Sequence, residues 1–250
     1  MNRKAMGIGA AVILACGLAC AQTSVFQIVQ GKATVDGVLS AGEWDRANWI
    51  PLDKIYFGTQ IDLTNAAWAA MWDPSENVIY VAVTGTDTDH VMHAYAGWDQ
   101  QDGIELYINA RNDNTNGFEN MTTRKFDYAQ QYLVGYDPAT TSMWSNLGGN
   151  LLPSNTLPAV AFGLVTNRVV YEFKVRPYDH FDYDNVPNST EVLLGHRLVI
   201  GLDVVMSSRT TDGSFVMLCE NQMGGKFTNA GNMRDYKLIA RRTGSLFVFP

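Results

Sequence analysis

Apolar and polar residues alternate with a period of two along many short segments of this chain. In segment 104–109, isoleucine and leucine alternate with glutamate, tyrosine and asparagine. A strand places successive side chains on opposite faces of its sheet, so this pattern gives one apolar and one polar face. Few windows place apolar residues at the three- and four-residue spacing of a helix. The sequence therefore predicts an all-β protein with little helix.

Turn residues separate the alternating segments, as they do at Asp36-Gly37 and at 73–77. A capping-box pattern predicts one helical turn that starts at Ser40 and carries Trp44 inward. Segment 139–157 lacks periodicity and is predicted to be a surface loop. Many short strands joined by turns are typical of a β-sandwich, and we predict an antiparallel sandwich of the jelly-roll type. Strands are predicted at 25–29, 33–35, 66–72, 78–83, 104–110, 126–136, 159–166, 169–175, 197–206, 214–219 and 234–240, with an edge strand at 246–249.

The N-terminal segment has the pattern of a secretory signal. The basic residues Arg3 and Lys4 precede an uncharged apolar stretch over 5–18, and small residues lead to a cleavage point after Ala21. We therefore predict a signal peptide over the first 21 residues and a single domain over 22–250. The apolar stretch is shorter than the ~20 residues that a membrane span needs, so no transmembrane helix is expected.

Two of the three cysteines lie in this signal segment. A lipid anchor at Cys16 or Cys20 is therefore an alternative to plain secretion. Cys219 is then the single cysteine of the mature chain, which leaves it no partner for an intrachain disulfide. We expect Cys219 to be a small buried side chain on a strand.

The mature chain is acidic. Cleavage removes two basic residues, so the net charge of −7 becomes −9. The chain has no cluster of lysine and arginine that would form a basic patch. Nucleic acid is therefore excluded as an expected partner.

The stretch 98–109 combines an aromatic ring with carboxylates and amides. Trp98 stands in the turn before the strand, and Glu105 lies on the polar face. A flat apolar ring beside charged and amide hydrogen-bonding groups is a common way to hold a polyhydroxylated ligand. A half-buried strand with a solvated outer face gives the same pattern, so the stretch alone leaves both interpretations open.

Three segments together resemble family 9 carbohydrate-binding modules and the wider DOMON-like superfamily. Segment 35–45 is similar to an opening "I-D-G-x-L" followed by "E-W-x-x-A", and segment 68–83 is similar to "W-D-x-x-x-L-Y-V-x-V". Segment 102–109 is similar to "D-S-V-E-I-F-I-D". The resemblance extends over residues 25–239, and the order and spacing of the motifs support it better than any one motif.

The resemblance implies a β-sandwich, often calcium-stabilised, that holds a sugar between two tryptophans and polar side chains. By position, Trp98 resembles the first tryptophan and Glu105 the carboxylate. Arg124 resembles the basic partner, with Lys125 as a near alternative. The late stretch that should supply the second tryptophan has none. Its Asn221 and Gln222 are candidates for contacts with sugar hydroxyls.

The other tryptophans are mostly expected in the core. Trp44 is predicted to be buried, and Trp68 and Trp72 share one face of a strand. Trp144 falls in the predicted loop 139–157, where an exposed indole usually has a binding partner. Trp144 is therefore a second candidate platform for a sugar.

Metal and haem sites are weaker possibilities. Loops rich in Asp and Asn supply the oxygen ligands that calcium prefers, so Asp87, Asp89 and Asp113 are possible calcium ligands. Solvated turns explain the same residues. His90 and His93 have no partner at zinc spacing and are expected at the surface.

Relatives on this fold bind haem b through methionine and histidine or lysine, and this chain has suitable residues. A haem-b electron carrier is therefore a minor alternative. The residues that would serve are Met71, Met92, Met206 and His196.

The sequence thus predicts an exported, non-catalytic protein that binds a saccharide or cell-wall polysaccharide. No nucleophile elbow, phosphate loop or zinc-protease helix is present. The alternative from another class is a cell-surface assembly protein. It would self-associate through sheet edges or through the aromatic C-terminal segment 246–249.

Overall fold

The computed structural model describes residues 26–60, 62–112, 125–127, 129–147, 150–151, 158–182 and 185–241. These residues contain 3₁₀ turns at Val186–Asn188 and Ala230–Asn232 but no α-helix, and none of their helices could cross a membrane. The strands are β1 (Phe26–Gln30), β2 (Ile50–Pro51), β3 (Lys54–Gly58), β4 (Thr64–Asp73), β5 (Val78–Thr86), β6 (Gly103–Asn109), β7 (Lys125–Asp127), β8 (Gln130–Asp137), β9 (Ser142–Leu147), β10 (Asn150–Leu151), β11 (Ala159–Val165), β12 (Arg168–Val175), β13 (Tyr178–Asp182), β14 (Thr190–Glu191), β15 (Val199–Arg209), β16 (Phe215–Cys219) and β17 (Arg234–Ile239).

Most strands form two antiparallel layers, and β14, β13 and β7 form a separate three-stranded sheet. The first layer has the order β11-β12-β5-β4, and β2 adds to β4. The second has the order β10-β9-β8-β6-β15, after which β17 and β16 pair with different halves of β15 and β3 pairs with β16. Strand β1 joins the layers, because it runs parallel to β17 and then to β4. The prediction of an all-β antiparallel sandwich is confirmed.

The core lies between the two layers and follows the predicted alternation. From β6, Ile104, Leu106 and Ile108 point into it, and from β4, Trp68 and Trp72 do so. These side chains are almost fully buried. Burying a large apolar side chain stabilises the fold by roughly 1.5–3 kcal/mol, so the alternating residues are the main source of stability.

A segment before β2 covers the outer face of the first layer. The buried Glu172 of β12 holds it: Glu172 Oε1 accepts a hydrogen bond from Trp44 Nε1 at 2.9 Å, and Oε2 accepts one from Gly37 N at 2.9 Å. Trp44 is buried, as predicted. The predicted capping box is wrong, because Glu43 Oε1 accepts from Thr34 N, and the residues after Ser40 form a turn.

The predicted surface loop over 139–157 is wrong. Strand β9 pairs with β8 on one side and with β10 on the other. Its apolar residues are Met143, Trp144 and Leu147, and this spacing has no period of two that would reveal a strand. Pairing of its backbone with β8 supplies the stability that the side-chain pattern does not indicate.

Candidate functional site

An exposed aromatic cluster lies at one end of the second layer. The ring centroid of Trp98 is 5.3 Å from that of Phe57 on β3 and 5.8 Å from that of Phe215 on β16. Both contacts are edge-to-face, the geometry that the quadrupoles of aromatic rings favour. Trp98 is 42% exposed and Phe57 is 53% exposed. Two large rings therefore meet solvent side by side.

Backbone hydrogen bonds fix the turn that carries Trp98. Gln100 N donates to Gly97 O at 3.2 Å, which closes the turn around Trp98. Arg209 Nη1, from the end of β15, donates to Asp99 O at 2.6 Å. The turn is thus tied to the sheet, and the indole is presented in a defined orientation.

Glu105 lies on the outer face of the second layer, as predicted, but it is not an open surface residue. It is 7% exposed, and its Oε2 accepts a hydrogen bond from the Tyr107 hydroxyl. Burial raises the pKa of Glu105, and the nearby Lys226 charge opposes this shift. Tyr56 and Tyr95 are also close enough for the Glu105 charge to raise the pKa of each phenol, although burial raises it more.

The segment after β16 packs over this outer, polar face of the second layer. The sequence pattern does not predict this packing. Lys226 of this segment is fully buried and its Nζ lies 2.9 Å from Asp203 Oδ1 and 4.9 Å from the centroid of the Tyr56 ring. Asn221 Nδ2 donates to Asp203 Oδ2 at 2.9 Å, so this predicted sugar contact holds the covering segment in place. A second covering side chain, Met233, is also buried against this face.

Of the two predicted sugar contacts after β16, Asn221 and Gln222, only Gln222 is exposed. Its Nε2 donates to Ile55 O on β3 at 2.9 Å. This hydrogen bond places the carboxamide on the strand that carries Phe57. Gln222 thus lies on the same edge of the layer as the exposed aromatic cluster.

Trp144 is buried, in contrast to the exposed platform that the loop prediction implied. It is 8% exposed, and its Nε1 donates to His93 O at 3.0 Å. The indole occupies the space above Gly135, where a Cβ atom would come within 2.1 Å of it. Tyr95 covers its other side at 5.2 Å between ring centroids. Trp144 therefore supports the segment that carries Trp98.

Two predicted residues fall outside the described residues. These are Arg124, the expected basic partner, and Asp113, a possible calcium ligand. Both stay predictions.

Asp87 does not lie with Asp89 in a common site, although both were predicted as calcium ligands. Asp89 Oδ2 accepts hydrogen bonds from Thr211 N and Oγ1, both at 2.9 Å. Asp87 instead meets His90 and Asp102, and one ligand atom from each lies within 4.8 Å of the others. Calcium prefers a shell of six to eight oxygens, so a group with an imidazole nitrogen fits it poorly. Sequence reasoning missed this group because the fold, not sequence spacing, brings Asp102 to His90.

The three methionines named for haem do not all face one space, although Met92 and Met206 both pack in the core between the layers. Met71 belongs to the cluster around Trp44 outside the first layer, whereas Met206 lies in the core between the layers. His196 Nδ1 accepts a hydrogen bond from Ala240 N at 3.0 Å. This arrangement gives no support to a haem site built from these residues.

Comparisons with known proteins agree with this fold. Residues 35–156 match the family model described as "Carbohydrate family 9 binding domain-like". A family 9 carbohydrate-binding module from Caldicellulosiruptor kristjanssonii, solved in complex with glucose, matches with a TM-score of 0.65 and 14% identity over 88% of this chain and 97% of that chain. Another structure from that organism, in complex with cellotriose, matches with a TM-score of 0.64 and 15% identity over 90% and 97%.

No curated protein matches the chain significantly. The family model and the two solved structures nevertheless agree on one architecture, and the three sequence motifs lie in the matched region or at its border. The chain therefore has the β-sandwich fold of these modules, and its residues 35–156 are similar to the family model.

Proposed function

We propose that this chain is an exported, non-catalytic protein that binds a saccharide on the surface formed by Trp98 and Phe57. The observation that carries the proposal is the exposed pair of rings on a fixed turn and strand. The carbon-bound face of a sugar ring is apolar and stacks on an exposed aromatic ring. Fixing the rings before binding reduces the conformational entropy lost on association.

Phe57 and Phe215 compensate for the tryptophan that the late segment lacks. Both rings contact Trp98 from strands of the second layer. The platform is therefore made of one indole and a neighbouring phenyl ring, in place of two indoles. We expect such a platform to be open on one side and to accept a chain of sugars as well as a terminal ring.

Polar groups beside the rings suit sugar hydroxyls. Gln222 is exposed on the β3 edge, and the partly exposed Tyr56 and Tyr95 are both close enough to Glu105 for its charge to affect their phenols. Hydrogen bonds to charged groups are stronger than neutral ones, so the buried Glu105 carboxylate is the polar group with the greatest potential effect. Its hydrogen bond to Tyr107 already holds it in place.

The choice of ligand follows from the relatives. The two solved structures hold glucose and cellotriose, so glucose and short cello-oligosaccharides are the first probes. Because the late stretch lacks the second tryptophan of the family pattern, a broader set of saccharides is also screened.

A glycan array with the mature protein from Gln22 onward, in buffer with calcium, tests the proposal. We expect binding to one class of saccharide. Protein denatured by heat is the control for nonspecific adsorption. A blank array from protein that circular dichroism shows to be folded would contradict the proposal. Sedimentation at several concentrations would then test self-association.

A further inference from the structure

A second polar cluster lies where the segment carrying Trp98 leaves and rejoins the sandwich. Asp87 follows directly after β5, and Asp102 directly precedes β6. His90 Nδ1 lies 3.8 Å from Asp87 Oδ2 and 3.9 Å from Asp102 Oδ2. Asp87 is 1% exposed and Asp102 is 4% exposed. Two nearly buried carboxylates thus meet an imidazole whose side chain is 20% exposed.

Backbone groups orient the two carboxylates. Asp102 Oδ1 accepts from Arg209 N at 2.8 Å, and Oδ2 accepts from Val91 N at 3.1 Å. Asp87 Oδ1 accepts from Asp89 N at 3.2 Å. Outer hydrogen bonds of this kind fix the direction of metal-binding side chains.

Buried polar atoms around the cluster lack partners. Within the described part of the chain, neither ring nitrogen of His90 has a hydrogen-bond partner, although both are shielded from solvent. The Tyr171 hydroxyl, on an almost fully buried side chain of β12, also has none there. Burial raises the Tyr171 pKa well above its usual value, and the charges of Asp102 and Asp87 add to this shift. Unpartnered buried polar groups are costly, and a bound water or ion at the cluster would satisfy them.

Burial also disfavours the charged forms of both carboxyl groups. Burial raises the pKa of Asp87 to about 7 and that of Asp102 to about 8, and each shift includes repulsion from neighbouring carboxylates. Hydrogen bonds from backbone N–H groups oppose both shifts without removing them. A bound cation would favour the charged carboxylates in this space and supply the imidazole with a partner.

We propose that Asp87, His90 and Asp102 bind one divalent transition-metal ion of the zinc class. Imidazole nitrogen with carboxylate oxygen is a ligand set that suits zinc, whereas calcium and magnesium take oxygen ligands. The ion would close the segment 87–102 at its base, because its ligands come from both ends of that segment. Its role is structural, because its ligands lie at the two ends of the segment that carries Trp98.

Calorimetric titration of zinc into tag-free protein, stripped with EDTA, tests the proposal. We expect one zinc ion per chain and a rise in Tm on zinc addition. His90→Ala should weaken zinc affinity by at least about tenfold, since loss of even an outer partner of a ligand costs that much. Asp87→Asn, which keeps the size of the side chain, should give a similar loss.

His93→Ala is the matched control, because this histidine lies in the same segment and its ring is outside the cluster. It should bind zinc as the wild type does. Zinc binding that survives in a folded His90→Ala variant would overturn the proposal, as would wild-type protein that binds no zinc or binds calcium more tightly than zinc. The wild-type titrations decide the matter even where a variant fails to fold.

Discussion

Glu105 is a buried carboxylate whose environment sets its ionisation. The Tyr107 hydroxyl donates to it and Lys226 lies near it, but burial dominates and raises its pKa. Between the ordinary glutamate pKa of about 4.3 and the raised value, the folded protein binds a proton more tightly than the unfolded chain does. The contribution of Glu105 to stability is therefore present at low pH and falls as the pH rises through that interval.

Glu105→Gln should become relatively more stable as the pH rises. The variant cannot ionise, so its free energy of unfolding minus that of the wild type should increase from pH 4 upward. Urea unfolding of both proteins at several pH values measures this difference.

Glu76→Gln is a control with the opposite sign. Hydrogen bonds from Lys174 and Lys32 lower the pKa of the exposed Glu76. Its contribution is present above the ordinary glutamate pKa and is lost as the pH falls through the lowered value. This variant should therefore lose stability relative to the wild type as the pH rises. A Glu105→Gln difference that stays flat or falls with pH would contradict the account of Glu105.

Phe57 belongs to the proposed binding surface, and the sequence did not indicate it. Strand β3 has apolar residues at adjacent positions, so alternation does not separate its faces. The exposure of Phe57 becomes clear only from the structure, in which β3 pairs with β16 and the Phe57 ring contacts Trp98.

Phe57→Ala should weaken saccharide binding by about fivefold with a small effect on Tm, since a single aromatic contact contributes about 0.5–1.5 kcal/mol. Titration of the best saccharide from the array measures this loss. Leu193→Ala is a control at another exposed apolar residue. Equal losses in the two variants would contradict a specific role for Phe57.

Among the elements, hairpins with clear alternation were predictable. The β4–β5 pair and the β11–β12 pair match their predicted positions closely, because each has long alternating strands and a short polar turn. Strand β9 and the split of predicted strand 126–136 into β7 and β8 were not predictable. Strand β9 pairs with its neighbours β8 and β10 but has no alternation that marks it as a strand. Strands β7 and β8 separate because β7 pairs with β13 and β8 with β6, and local periodicity does not report such distant partners.

The N-terminal segment packs closely on β11, and substitution of a glycine at this contact tests how much the packing stabilises the first layer. A Cβ atom at Gly163 would lie 2.0 Å from Gly37 O, so Gly163→Ala must displace this backbone contact. We expect a loss of about 1–3 kcal/mol in the free energy of unfolding, measured with urea. A Cβ atom at Gly195 would meet nothing within 4 Å, so Gly195→Ala should change the free energy of unfolding by less than about 0.5 kcal/mol. Similar values for the two variants would contradict this packing.

For the whole molecule, the order of three short motifs predicted the architecture better than any single strand did. The residues of the motifs explain why. In the first motif, Asp36 N and Trp44 Nε1 donate hydrogen bonds to Glu172, and in the second, Trp68 and Trp72 pack in the core. In the third, Asp102 accepts a hydrogen bond from Arg209 N at the end of β15. These motifs specify contacts of the fold. They do not specify the ligand, because Trp98 and Phe57 lie outside them.

Export is a prediction about the whole chain. Expression of the full sequence in a bacterial host should give a processed protein outside the cytoplasm that starts at Gln22. Intact-mass spectrometry measures this start. A mass that includes residues 1–21 would contradict cleavage, and a mass increased by lipid on Cys20 would favour the anchored alternative.

The most direct test of saccharide binding at the aromatic surface is a calorimetric titration of the best array saccharide into wild-type protein, Trp98→Ala and Trp49→Ala. Trp49 is a matched control, since it is 38% exposed and packs beside Trp44 outside the other layer. We expect Trp98→Ala to lose binding with a nearly unchanged Tm, and Trp49→Ala to bind as the wild type does. Undiminished binding by Trp98→Ala, or an equal loss in both variants, would contradict the assignment of this surface.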